Sequence, residues 1–319
     1  MALSIDVLSS YLPVQEAEID KVLAEEIRDN EKKIVVLDDD PTGVQTVHDI
    51  SVYTNWEKAS IEQGFAEENK LFYILTNSRG FTAAQTEKAH KEIAEVVDQV
   101  AKETGKEYLF ISRSDSTLRG HYPLETTILK DEYEKNTGKK IDGEVLCPFF
   151  KEGGRFTIDD VHYVQYDDTL VPAAETEFAK DKTFGYTVSN LKEYVEEKTQ
   201  GSYKKENVTA ISLEDIRELN YDKIEEQLLA VEDFNKVIVN AIDYVDVKIF
   251  CVALFRAMKK GKNFMFRTAA AIVKVMGGVS NQPLLTREQM VVKETDNGGI
   301  IVVGSHTDKT TRQMEKLRE

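Results

Sequence analysis

Short apolar runs alternate with helix-spaced apolar positions along most of the 319 residues. Val14, Ile19, Val22, Leu23 and Ile27 recur at helical spacing and predict an amphipathic helix over 14–29. Residues 34–37 form an unbroken apolar run, the mark of a strand buried on both faces. The runs at 71–76 and 108–112 repeat it, with a shorter candidate at 51–54. Ile93, Val96, Val97 and Val100 place a helix over 82–103, with Gly105 as its stop. Pro123 suits the first turn of the next helix, and 141–146 reads as a further strand. The alternation continues with helix 190–199, strand 208–212, helix 214–231, strand 236–241 and helix 245–260. Residues 264–276 read as a buried helix bearing Arg267, and 298–303 as a last strand before a helix from Asp308. The pattern predicts an α/β fold, a mostly parallel sheet with helices on both faces. Residues 153–184 break it, being polar, aromatic and irregular. A connection of that length usually lines or covers a site.

Three predicted strands end in polar clusters: DDDPTG at 38–43, TNSRG at 76–80 and RSDSTLRG at 113–120. In a parallel sheet such exits share one edge, where open α/β sheets bind their ligands. Three consecutive acids repel one another, so a purely structural role is hard to justify. Arg79, Arg113 and Arg119 supply rigid forks matched to carboxylate or phosphate oxygens. Asp40, Asp115, Ser116 and Thr117 supply acceptors and short donors suited to a polyhydroxylated ligand. The competing reading makes each cluster a solvated turn with a helix-capping Asp or Ser. His121 and His162 lack any metal-ligand spacing and are the weaker candidates. Arg155 either reaches an anion or ties its loop to the acidic turn, and Arg267 is read as structural.

Charge narrows the partners. The formal net charge of −16 argues against nucleic acid or an anionic membrane surface. Cys147 and Cys251 sit in apolar surroundings without CxxC spacing, as reduced core residues of a cytoplasmic protein would. Neither a signal peptide nor a run of membrane-spanning length is evident.

LDDDPTGVQTVHD, LTNSRGFT, SRSDSTLRGHYPLE, CPFFKEGGRFTIDDVHYV, FRTAA and IIVVGSHTDKTTRQMEKL resemble, in order, the landmarks of the four-carbon acid sugar kinases. That resemblance implies phosphorylation of threonate, erythronate or 3-oxo-tetronate with ATP and Mg²⁺. It implies a sugar-acid-binding α/β domain over 1–285 and, over 286–319, the first strand and helix of an incomplete nucleotide-binding domain. Substrate contacts would come from Asp39, Asp40, Arg79 and the RSDSTLRG residues, a general base from Asp40 or Asp115, and a nucleotide contact from Ser305. The glycine-rich phosphate loops of the family are absent, so the chain is expected to be the substrate-binding half, as a truncation, one product of a split gene or a degenerate copy, with a second copy of itself or a separately encoded nucleotide-binding half as partner. Replacing Arg79 by Ala is expected to abolish acid binding and leave the fold intact.

Two other classes explain part of the pattern. Asp38-x-Asp40-x-Thr42 after an apolar strand, with Thr76 after the next, resembles a haloacid-dehalogenase-type phosphatase with Asp38 as nucleophile. That reading leaves RSDSTLRG unemployed. A non-catalytic sugar-acid-binding protein is the third.

Overall fold

The computed structural model describes residues 1–291, 293, 297–305 and 308–319. They fall into two compact units, Met1–Ser280 and Asn281–Glu319. Numbered along the chain, the strands of the first unit are β1 (Leu3–Ser4), β2 (Lys33–Asp38), β3 (Val52–Tyr53), β4 (Leu71–Leu75), β5 (Tyr108–Arg113) and β6 (Gly143–Cys147). They continue with β7 (Arg155–Ile158), β8 (Val161–Tyr166), β9 (Thr169–Pro172), β10 (Thr209–Ile211), β11 (Asn235–Val239) and β12 (Phe264–Thr268).

Eight of them form one sheet in the order β10-β11-β6-β12-β5-β2-β4-β3, every adjacent pair parallel. Helices cover both faces, as expected. Ile34 and Val36 of β2 point to one layer, with Ile19 and Leu23 of α1 (Glu16–Asp29). Val35 and Leu37 point to the other. There they meet Ile61 and Phe65 of α2 (Lys58–Ala66), Ile93 and Val97 of α3 (Ala83–Thr104), and Leu129 and Tyr133 of α4 (Leu124–Thr137). Double-sided burial explains why these strands read as continuous apolar runs rather than alternating ones. α3 opens on a reciprocal Thr82–Gln85 capping box and closes at Gly105, whose φ is 69°.

Three expectations need correction. Residues 264–276 are not one helix: β12 sits between β6 and β5, and a separate helix, Ala270–Met276, follows. A strand buried on both faces has the same apolar composition as a buried helix, so periodicity could not separate them. Residues 153–184 are not irregular throughout, because β7, β8 and β9 pair antiparallel and β1 joins β9. The helix foreseen over 214–231 is two, Leu213–Arg217 and Tyr221–Leu229, broken at Leu219 with φ 59°.

The second unit contains the helices Arg287–Met290 and Asp308–Arg318. Its described residues form no strand at 298–303, where one was expected. No helix among the described residues is long and apolar enough to cross a membrane.

Candidate functional site

β2 lies between β5 and β4, so the exits of these three strands are neighbours on the sheet's carboxyl edge. The chain leaves β2 towards β3 and β4 on one side, then crosses to β5 on the other, which makes β2 a topological switch point. Asp39, Asp40, Arg79, Arg113, Asp115, Ser116, Thr117 and Arg119 all stand on these exits.

The acidic triplet is held by two guanidinium groups. Arg79 grips Asp39 through two parallel bonds, Nε to Oδ2 at 3.0 Å and Nη2 to Oδ1 at 2.7 Å, and reaches Asp40 Oδ2 with Nη1 at 2.5 Å. Arg113 Nη2 donates to Asp38 Oδ1 and lies 3.2 Å from Asp40 Oδ1. Asp38 and Asp39 are buried, at 1% and 2% exposure, whereas the Asp40 side chain keeps 20%. Burial pushes Asp39 up to about 7 against the pull of Arg79. Burial also works against Arg79, but Asp39, Asp115 and Asp40 more than offset it and hold the guanidinium well above its ordinary range. The two partners thus pull in opposite senses. The doubled fork is the geometry of an ion pair, and the pair is charged. Burial lowers Arg113 to about 10.

The loop after β5 is fixed carbonyl by carbonyl. His162 Nε2 lies 2.7 Å from the carbonyl of Ser116, Tyr186 Oη donates to Thr117 at 2.8 Å, Tyr194 Oη to Leu118 at 2.8 Å and Arg267 Nη2 to Arg119 at 2.9 Å. All four side chains are buried. They hold Leu118 and Gly120 at φ 70° and 122°, values unfavourable for an unsupported leucine. Asp115, at the head of this loop, accepts from Thr117 Oγ1 and from Arg119 Nε (2.7 Å). Burial opposes its charge, yet Arg79, Arg119 and Thr117 together keep its carboxyl well below the usual range.

The sequence gives Arg79, Arg113 and Arg119 one ligand-holding role, and the structure divides them. Arg79 and Arg113 spend their forks on Asp38, Asp39 and Asp40. Arg267 pairs with Glu125 (3.2 Å), which also accepts from Ser78 Oγ at 2.6 Å. Its structural role is therefore to tie β12 to the loops after β4 and β5. Arg119 uses Nε alone, and Arg155, delivered by β7, joins the edge beside it. His121 bonds the carbonyl of Phe81 (2.9 Å) and serves the same packing. Tyr186 and Tyr194 were not foreseen, and no local motif marks them. Ser305 belongs to the second unit and accepts from Thr310 Oγ1 at 2.8 Å, while His306 lies outside the described residues.

Carboxylate oxygens from Asp38, Asp39 and Asp40 lie within 4.8 Å of one another. They do not fit a Mg²⁺ ion, because the guanidinium groups of Arg79 and Arg113 already occupy them and oppose a second positive charge. A buried Asp38 paired with Arg113 is likewise not presented as a phosphatase nucleophile.

The family described as the sugar-binding N-terminal domain matches residues 34–276. The chain belongs to that family. The resemblance drawn from the sequence motifs is borne out at the level of this domain. No curated protein matches the chain. A domain of unknown function from Bordetella bronchiseptica, solved as a domain-swapped dimer with bound citrate, is 18% identical with TM-score 0.55, over 76% of this chain and 55% of that one. A Haemophilus influenzae protein is 17% identical with TM-score 0.53, over 89% of this chain and 64% of its own. A Salmonella typhimurium LT2 chain provisionally assigned as a tRNA synthase is 14% identical with TM-score 0.51, over 78% and 55%. At these identities the likeness is one of fold. The chain spans 55% to 64% of the length of these relatives.

Proposed function

We propose that this sugar-binding domain is the substrate-holding part of an ATP-dependent kinase of four-carbon acid sugars such as threonate, erythronate or 3-oxo-tetronate. The observation that carries the reading is the meeting of three strand exits around β2, with guanidinium groups and a partly exposed Asp40 on one edge. The citrate of the Bordetella relative, a hydroxy acid, fits the same ligand class.

In this reading the loop carbonyls fixed by His162, Tyr186, Tyr194 and Arg267 keep Asp115, Thr117 and Arg119 in place for the ligand's hydroxyl and carboxylate groups. Asp40 is the better proton acceptor of the two candidates. Its side chain is the more open, at 20% exposure against 11% for Asp115. Phosphoryl transfer depends mostly on positioning and charge stabilisation, so a rigid acceptor site is the contribution expected of this domain. ATP and its Mg²⁺ would be held by a nucleotide-binding domain, and the chain spans only 55% to 64% of the relatives' length.

The test is calorimetric titration and thermal shift with threonate, erythronate and 3-oxo-tetronate, with and without MgATP. Stabilisation by at least one acid is expected, and none by any of them would overturn the reading. Acid binding with no turnover, even with the nucleotide-binding half supplied, would favour a non-catalytic binding protein.

A further inference from the structure

The small antiparallel sheet brings one group to the edge that the strand-exit pattern does not account for. Arg155 opens β7, immediately after the Gly153-Gly154 turn. Its Nη1 donates to the carbonyl of Gly153, but its Nε is shielded from solvent and has no acceptor among the described residues. The guanidinium lies 5.4 Å from the centroid of the Phe178 ring. Arg119 lies over the same ring, at 5.1 Å. One aromatic side chain therefore carries two cations, an arrangement in which like charges repel unless an anion sits between or beside them. Asp115 acts on both guanidinium groups, with Asp181 also acting on Arg119 and Glu177 on Arg155, and Asp115 is already engaged by Arg119 Nε and by Thr117. Among the described residues both Nη groups of Arg119 and Nη2 of Arg155 have no protein acceptor. Arg113 also leaves its Nε without an acceptor, but both of its Nη groups are bonded, as are those of Arg79 and Arg267.

We infer that Arg119 and Arg155, both held against the Phe178 ring, form the subsite that takes the carboxylate of the sugar acid. Two planar forks offer several N–H groups to one carboxylate and select an acid over the matching polyol, whose hydroxyls carry no charge. Phe178 fixes both forks, so little side-chain freedom is lost when the ligand arrives. The inference rests on the proposed ligand class and adds Arg155 and Phe178 to the residues that read it.

The full chain and its R155Q, R155K and F178L variants are titrated with threonate, with citrate and with uncharged threitol. The wild type should bind the acids in preference to threitol. R155Q should lose on the order of 10- to 100-fold in acid affinity with threitol unchanged, and R155K should recover only part of it. F178L keeps both charges and should weaken acid binding with its denaturation midpoint near that of the wild type, which covers the case of a poorly folding R155Q. An unchanged acid affinity in R155Q and F178L overturns the subsite while the ligand class stands. Equal losses for acid and threitol also overturn it, because Arg155 would then only support its hairpin. Failure of the wild type to bind any acid removes the ligand class itself, and this subsite with it.

Discussion

The hydroxyl of Tyr194 donates to the carbonyl of Leu118 at 2.8 Å, although the two residues are 76 positions apart. Tyr194 is 1% exposed and Leu118 sits at φ 70°, so a buried bond holds a backbone conformation that leucine otherwise avoids. Removing only the oxygen, in Tyr194→Phe, leaves that carbonyl without its donor at nearly constant side-chain volume. A loss of about 1–3 kcal/mol in unfolding free energy is expected from urea denaturation. Affinity for the acid should fall with it, because Thr117 and Arg119 flank the released carbonyl. An unchanged midpoint would show that the loop is held by its other partners.

Arg79 shows why a residue's place on a loop does not settle its energetic role. From the sequence it reads as a ligand-holding side chain whose removal spares the fold. In the structure it neutralises Asp39, which is 2% exposed, and contacts Asp40. Arg79→Ala removes the fork and leaves Asp39 only Arg113 Nη2, 3.3 Å from its Oδ1, so a cost of about 3 kcal/mol, at the low end for a broken buried pair, follows. The double variant Arg79→Ala/Asp39→Asn should recover part of that loss, since the stranded charge is gone. Equal stability of wild type and Arg79→Ala would return Arg79 to a purely ligand-binding role.

His162 gives the protein a predictable acid limb. Its Nε2 faces the Ser116 carbonyl, which can only accept, so the neutral ring donates there and accepts from Thr157 at Nδ1 (3.0 Å). Burial lowers its pKa from 6.5 to about 4. Above pH 6.5 the ring is neutral folded and unfolded, and its contribution is complete. As the pH falls from 6.5 towards 4 the unfolded chain takes up a proton that the folded chain refuses, and stability drops by roughly 3 kcal/mol. His162→Gln, which does not titrate, should flatten that part of the stability profile. A profile identical to that of the wild type would mean that other groups set the acid limb.

The exits of β2, β4 and β5 were legible because strands buried on both faces leave unbroken apolar runs, and each run stops abruptly at polar residues. β12 was not, since FMFRT is equally apolar read as strand or helix and only its seat between β6 and β5 decides. The antiparallel sheet was missed because its strands have two to six residues, and β7, β8 and β9 are joined by tight turns at Asp159, Asp160 and Asp167, all with positive φ. The donors that fix the loop after β5 lie 46, 69 and 76 residues from their carbonyls, beyond any local motif. Which arginines are spent and which are free is likewise a property of packing, invisible in RSDSTLRG alone.

Two glycines in the turns of the edge make opposite predictions. A methyl group at Gly43 would fall on the carboxylate of Asp38 and on Nε of Arg113, so alanine there must push the buried pair apart. A methyl group at Gly80 would meet nothing within 4 Å, and its backbone is not in the left-handed region. Gly43→Ala should therefore cost on the order of 3 kcal/mol or more and weaken acid binding, because Arg113 also contacts Asp40. Gly80→Ala should stay within about 0.5 kcal/mol of the wild type. The two variants differ by the same single methyl group, so comparing their denaturation midpoints isolates the Asp38–Arg113 pair from any general effect of replacing glycine. Similar midpoints would mean that the pair can move aside without cost, and that the acidic turn is looser than its ion pairs imply.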